Sequence, residues 1–278
     1  MPAERIAENL AFINWTVLTA LAVGAFGAVV LARTKTDATR GFTGFTAACA
    51  VGFGVLALLS DTALPPTVGG SPIAADATWE LPRRIALLVF CLLVGAEVVA
   101  IARRRRAVAL SFAGLLAGIA VLAFAALGWG RGVAGSAALL VQLAVLTAAT
   151  GGVFAAMILG HWYLVTPRLS ERPLVLFARL LTAVLAVQVG LFVVWVAIGA
   201  GPGGVALFAA LVGPWALFVW LRLIVGLVFP LIVSWAAAQT ARSRSMESAT
   251  GLLYISVGTI AAGTILAAGL YFGAGLLV

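Results

Sequence analysis

His161 is the only histidine in 278 residues, and it stands in "HWYLVTPRL" between a long apolar run and an arginine. An imidazole exchanges protons in the physiological pH range. Trp162 and Tyr163 follow it directly and Arg168 comes soon after. Two flat rings can flank a quinone headgroup, and a guanidinium can hold one of its oxygens. The same stretch also fits an interfacial aromatic belt that happens to contain a histidine. Both readings stand on the sequence.

Two further residues carry charge where it is expensive. Glu97 sits in "LLVGAEVVA" and Arg222 in "FVWLRLIVG", and each costs at least ~2.5 kcal/mol at the centre of a bilayer. One reading is a proton or substrate-anion site. The other is an interhelical ion pair that neutralises both charges, in which case Glu97 and Arg222 lie close together in the fold. Gln142 and Gln188 are the other deep polar side chains, each able to bond across helices. They serve a site or simply fix packing.

Other chemistries lack their residues. One histidine cannot supply both axial ligands of a bis-histidine haem. Cys49 and Cys91 lie inside apolar runs, with no Cys/His/acid cluster for zinc. No P-loop, G-x-S-x-G or H-E-x-x-H pattern occurs. The net charge of +8 is not a nucleic-acid signal, because the basic residues fall between apolar runs, where they encode topology. "RRRR" at 103–106 is such an anchor, and it also suits anionic lipid or a docked partner.

These residues must be positioned by membrane helices. Hydrophobic residues make up 64% of the chain and charged residues 9%, with a mean hydropathy of +1.19. A soluble chain carries about 25% charged residues. A crossing helix needs roughly 20 apolar residues. The runs at 11–32, 43–60, 85–102, 107–127, 136–160, 174–198, 205–238 and 250–277 number eight. The expected fold is an all-α polytopic bundle forming one integral membrane domain. The first run is expected to be a retained helix, because an acidic stretch precedes it and a basic one follows.

The loops alternate in charge. Arg33, Lys35, Arg40, Arg103 to Arg106, Arg168, Arg172, Arg242 and Arg244 fall at the odd loops, eleven basic residues in all, against Arg83, Arg84 and Arg131 at the even ones. By the positive-inside rule the odd loops face the cytoplasm and both termini face outside. The long loop Asp61–Arg84 then lies outside, with Trp79 as an interfacial anchor. The run at 205–238 is too long for one simple crossing. It is expected to be a single helix, tilted or kinked by Pro214 and Pro230. Gly269 and Gly273 form a G-x-x-x-G helix-packing pattern. Arginine outnumbers lysine sixteen to one, as in a high-GC genome, and the expected location is a bacterial cytoplasmic membrane.

The last three helices resemble a known family. "LFARLLTAVLAVQVGLFVVW" (Leu176–Trp195), "WLRLIVGLVFPLIVSW" (Trp220–Trp235) and "SATGLLYISVGTIAAGTILAAGLYF" (Ser248–Phe272) resemble helices six to eight of the integral anchor subunits of DMSO-reductase-type respiratory molybdoenzymes. That family has eight helices with both termini outside. The stretches cover about a third of the chain. Where the family's last helix has Gly-Glu and then an arginine, this chain has Gly263 and Thr264 with no charge after. The family's early quinol-site histidine has no counterpart here either. Arg222 is the charged position that carries over.

The resemblance implies a subunit of a quinone-linked oxidoreductase that anchors partner subunits and catalyses nothing alone. Membrane lipids and other subunits are the expected partners. A quinone near His161 or Arg222 is the expected small molecule, with no cofactor held by this chain alone. A small-solute transporter coupled through Glu97 and Arg222 is the alternative, and a structural membrane protein without a ligand is the third. The topology is open to cysteine labelling. Ser243→Cys should react with a membrane-impermeant maleimide only after the cells are opened, and Ser71→Cys in intact cells. Labelling of position 243 in intact cells would contradict the assigned sidedness.

Overall fold

The computed structural model describes residues 1–65, 73–105, 107–166 and 169–278. Among these the regular structure is entirely helical. A short α1 (Pro2–Glu8) precedes α2 (Leu10–Lys35), α3 (Arg40–Thr62), α4 (Glu80–Ala102), α5 (Val108–Trp129), α6 (Gly132–Val165) and α7 (Arg172–Ile198). Then come α8 (Ala216–Leu223), α9 (Phe229–Arg242) and α10 (Met246–Ala274). α8 and α9 form one crossing, joined by a π turn over Ile224–Val228. Among the described residues eight helices are thus long and apolar enough to cross a membrane.

The order of packing divides the crossings into two sets of four. α2, α3, α4 and α5 pack in succession, as do α6, α7, α9 and α10, with α10 returning to α6. α2 and α6 join the two sets. Burial singles them out, with 72% and 67% of their most apolar stretches covered by protein, against 28–39% in the other six crossings. The outer helices keep large apolar side chains such as Leu92, Leu116 and Ile232 exposed, as lipid contact requires.

The α2–α6 seam is made by backbone. A Cβ at Gly24 would overlap the Thr147 carbonyl oxygen, and one at Gly151 the Ala25 amide nitrogen. Lipid tails are as apolar as the helices themselves, so association rests on close van der Waals approach, which small residues allow. The G-x-x-x-G of α10 does not make this kind of crossing. A Cβ at Gly269 would meet Ile6 of α1 at an ordinary 3.5 Å, and one at Gly273 would meet the Trp215 side chain, not backbone, at a tight 3.0 Å.

Two boundaries differ from the sequence reading. The run at 205–238 holds an irregular segment with a 3-10 turn at Ala209–Leu211, and its helix begins only at Ala216 and ends at Arg242. Pro214 therefore precedes the helix, and Pro230 follows the π turn. An apolar segment such as "VALFAALVG" reads as a span by hydropathy alone. The helix expected to end at Gly160 continues to Val165.

Adjacent glycines give a sharp test of the seam. A Cβ at Gly152 meets nothing within 4 Å. Gly151→Val should destabilise the protein by about 1–3 kcal/mol or more through overpacking, and Gly152→Val should leave it near wild type. Detergent thermal-unfolding midpoints of the two variants decide, and equal midpoints would rule out the backbone contact.

Candidate functional site: buried polar clusters and the His161 end

The ends of the bundle are distinguished by their loops. The α2–α3, α4–α5, α6–α7 and α9–α10 connections share one end, called the basic end here after the arginines it carries. Glu97 lies near it, five residues from the end of α4, and is fully buried. Its ion-pair partner is Arg33, in the last turn of α2. Ser111, in the first turn of α5, donates its hydroxyl to Glu97 Oε1 at 2.7 Å. Among the described residues Glu97 Oε2 has no hydrogen-bond partner.

The expected pair between Glu97 and Arg222 does not form. Arg222 lies twenty residues from the end of α9. At 1.5 Å per residue it stands about 30 Å from the basic end, against about 7 Å for Glu97. The two charges occupy opposite halves of the bundle. Reading the seventh span as 205–238 had placed Arg222 near mid-membrane, whereas the true start at Ala216 moves it toward the other end.

Arg222 is instead held by neutral groups. Its Nη2 donates to Gln188 Oε1 at 2.6 Å and its Nη1 to the Gly226 carbonyl at 3.3 Å. Gly226 sits in the π turn, whose altered register is a common feature of functional helices. A Cβ at Gly226 would come within 2.5 Å of Gly263 Cα, and one at Gly263 within 2.8 Å of Arg222 Nη1. The guanidinium therefore lies in a notch cut by two glycines. Gln188 is fixed by donating to the Val145 carbonyl of α6 at 2.9 Å. Gln142 donates to the Val278 carbonyl at 2.7 Å and accepts from Trp195 Nε1 at 3.2 Å. Both glutamines bond across helices.

A third cluster, at the other end, was not anticipated. Asp61, in the last turn of α3, is fully buried. Arg83 donates to it twice, Nε to Oδ2 at 2.7 Å and Nη2 to Oδ1 at 3.2 Å. Arg84 adds Nε to Oδ1 at 2.8 Å and Nη2 to the Asp61 carbonyl at 3.2 Å. The Arg83 guanidinium lies 4.6 Å from the Trp129 ring centroid and 5.6 Å from that of Trp15, a cation–π setting. Phe12 and Phe272 stack beside Trp129, and Tyr271 donates to the Trp129 carbonyl at 2.8 Å. Five helices meet at this knot. The sequence signal was an acid closing one apolar run and Arg-Arg opening the next, which reads equally well as two loop edges.

The His161 stretch does not converge on one ligand. Successive helical residues point about 100° apart. His161 is exposed. Trp162 lies over Gly41 at the start of α3. Tyr163 is buried, with its hydroxyl donating to the Ser170 carbonyl at 2.5 Å. Arg168 lies outside the described residues. Beside Tyr163 is a cavity of about 670 Å³, lined also by Leu164, Leu169, Arg244, Ser245, Met246 and Glu247. Arg244 Nη2 reaches Glu171 at 2.7 Å. A hydrogen bond from its own backbone, and then Arg244, hold the Glu171 carboxyl below its usual range.

The pairing can be read by double-mutant cycles. Glu97→Gln alone should cost about 3–5 kcal/mol, since it strands Arg33. Adding Arg33→Met should recover much of that loss, whereas adding Arg222→Leu should be additive. Coupling of Glu97 to Arg222 instead, measured by reversible unfolding in mixed micelles, would overturn the assignment. Compared with known protein families, curated proteins and solved structures, the chain matches none.

Proposed function

We propose that the chain is a non-catalytic integral subunit of a respiratory, quinone-linked oxidoreductase, anchored in a bacterial cytoplasmic membrane with both termini outside. The observation that carries the scaffold part of this reading is the state of the buried charges. Glu97, Asp61 and Arg222 are each engaged by groups of the same chain, and the α2–α6 seam is closed by backbone contact. A protein built in this way holds its shape. A transporter needs a site that opens alternately to each side, and the Glu97–Arg222 pair that would have served it is not formed.

The quinone part rests on the resemblance of Leu176–Trp195, Trp220–Trp235 and Ser248–Phe272 to the molybdoenzyme anchors. In this reading the headgroup enters the cavity beside Tyr163 rather than a pocket shared by His161, Trp162 and Tyr163. Arg244 is the donor for a quinone oxygen. His161, exposed at the same helix end, exchanges protons with solvent. Arg222, carried over from the family, acts as a fixed positive charge in the opposite half, and partner subunits dock on one membrane face.

Extraction of the native membrane in a mild detergent, followed by pull-down and mass spectrometry, tests the subunit assignment. An iron–sulfur, molybdenum or cytochrome subunit should co-purify in a fixed ratio. A chain recovered alone from gently solubilised membranes would contradict it. Within such a complex, Arg244→Ala should lower quinone-dependent turnover about 10-fold or more, in keeping with the loss of a charged hydrogen bond worth ~1.5–3 kcal/mol. His161→Ala should slow turnover while leaving the protein folded. Unchanged turnover in both variants would remove the quinone from this end.

A further inference from the structure

A groove opens sideways between α5 and α7, with α2 and α6 as its floor. Its volume is about 340 Å³. The floor is made of small residues, Gly27 and Ala28 of α2 with Ala148 and Gly152 of α6, and Leu115 and Leu180 form the walls. The groove follows α2 from Val23 to Leu31, a rise of about 12 Å. That is close to the depth of one leaflet, half of a hydrocarbon core of about 30 Å.

The same two helices change character at the basic end. One turn beyond Leu31 on α2, and one turn before Leu180 on α7, a second cavity of about 500 Å³ is lined by Thr34, Lys35, Thr36, Asp37, Arg172 and Leu176. Lys35 and Arg172 are both exposed, and neither is engaged by an ion pair among the described residues. Asp37 offsets one of the two positive charges, so the cavity carries a net charge of +1. An apolar slot about as deep as one leaflet thus ends about one helical turn from a cationic pocket that also holds two threonines.

We infer that this groove and the pocket one turn beyond it together bind one anionic glycerophospholipid. An acyl chain lies against Gly27, Ala28, Ala148 and Gly152, and the phosphodiester sits between Lys35 and Arg172. Charge complementarity selects the occupant. A zwitterionic lipid fills the slot equally well and its cation can meet Asp37, but it carries no net charge to balance the +1 of the pocket. A quinone fills the slot too, but its neutral headgroup leaves the net positive charge of the pocket unbalanced. The small floor residues give the lipid a mechanical role, because an acyl chain there fills the cleft between the two sets of four helices on the open side of α2 and α6.

Native mass spectrometry of the full chain tests this, with the protein released from nanodiscs made of equal parts phosphatidylglycerol and phosphatidylcholine. One phosphatidylglycerol should be retained per chain, with a preference of about tenfold over phosphatidylcholine. Lys35→Gln with Arg172→Gln should abolish the preference while still retaining lipid. Gly152→Leu fills the slot and should abolish retention of either lipid. The two exposed charges and the open space at Gly152 make all of these variants compatible with folding, checked by their melting temperatures in phosphatidylcholine alone. Equal retention of both lipids by the wild type, a preference that survives the double substitution, or displacement of the lipid by added ubiquinone would each overturn the inference. None of these outcomes depends on whether an oxidoreductase partner exists.

Discussion

The backbone contact between α2 and α6 at Gly24 and Gly151 is the constraint on which the rest of the bundle depends. In lipid there is no water to drive helices together, so a central pair must gain its stability from close approach. Bringing these two helices into contact sets the spacing of everything around them. Phe26 of α2 packs on Gly114 of α5 and edge-on against Phe90 of α4. Thr150 of α6 bonds Thr264 of α10 at 2.7 Å. The two sets of four helices are therefore fastened at their shared wall, and their outer faces are left to lipid.

The polar clusters serve the same arrangement at different depths. Glu97 with Arg33 and Ser111 ties α2, α4 and α5 near the basic end. Asp61 with Arg83 and Arg84, capped by Trp15 and Trp129, ties α2 to α5 at the other end. Arg222 with Gln188 joins α8 to α7 in the second set. Removing one member of a buried pair leaves the other uncompensated, and this makes such pairs effective in fixing which helices are neighbours. Inside the bundle the first set is held by buried ion pairs and the second by a buried cation on neutral acceptors, its Arg244–Glu171 pair lying exposed at the end, so the two sets are not chemically equivalent despite their similar packing.

The all-helical class and the eight helices long and apolar enough to cross a membrane, counted among the described residues, were legible in the sequence because a spanning helix needs an apolar run set by bilayer thickness. Pairing was not legible, because it depends on depth, and depth depends on span boundaries. Val205 to Trp215 is apolar enough to pass for helix, and this misplacement put Arg222 near mid-membrane, while starting the third run at 85 instead of at Glu80 put Glu97 nearer the middle of its own span than it is. Asp61 and Arg83 were hidden by lying at the edges of apolar runs, where a charge is expected to face water. His161, Trp162 and Tyr163 are adjacent in sequence, and for that reason a helix sends them in three directions. The close approach of Gly24 and Gly151 had no signal that set it apart among 31 glycines.

In the proposed scaffold role the bundle keeps its packing and works without opening. Thr150→Cys with Thr264→Cys, in a chain whose Cys49 and Cys91 have been replaced by alanine, tests it most directly. The two hydroxyl oxygens are 2.7 Å apart, so a hydrophobic oxidant should join the thiols in native membranes and lock α6 to α10. If the bundle anchors a quinone-linked complex as proposed, the turnover of that complex should be the same before and after oxidation, with reduction by dithiothreitol changing nothing. A disulfide that forms and arrests turnover, with recovery on reduction, would show that α6 and α10 must move apart, and a static scaffold could not then be the basis of function.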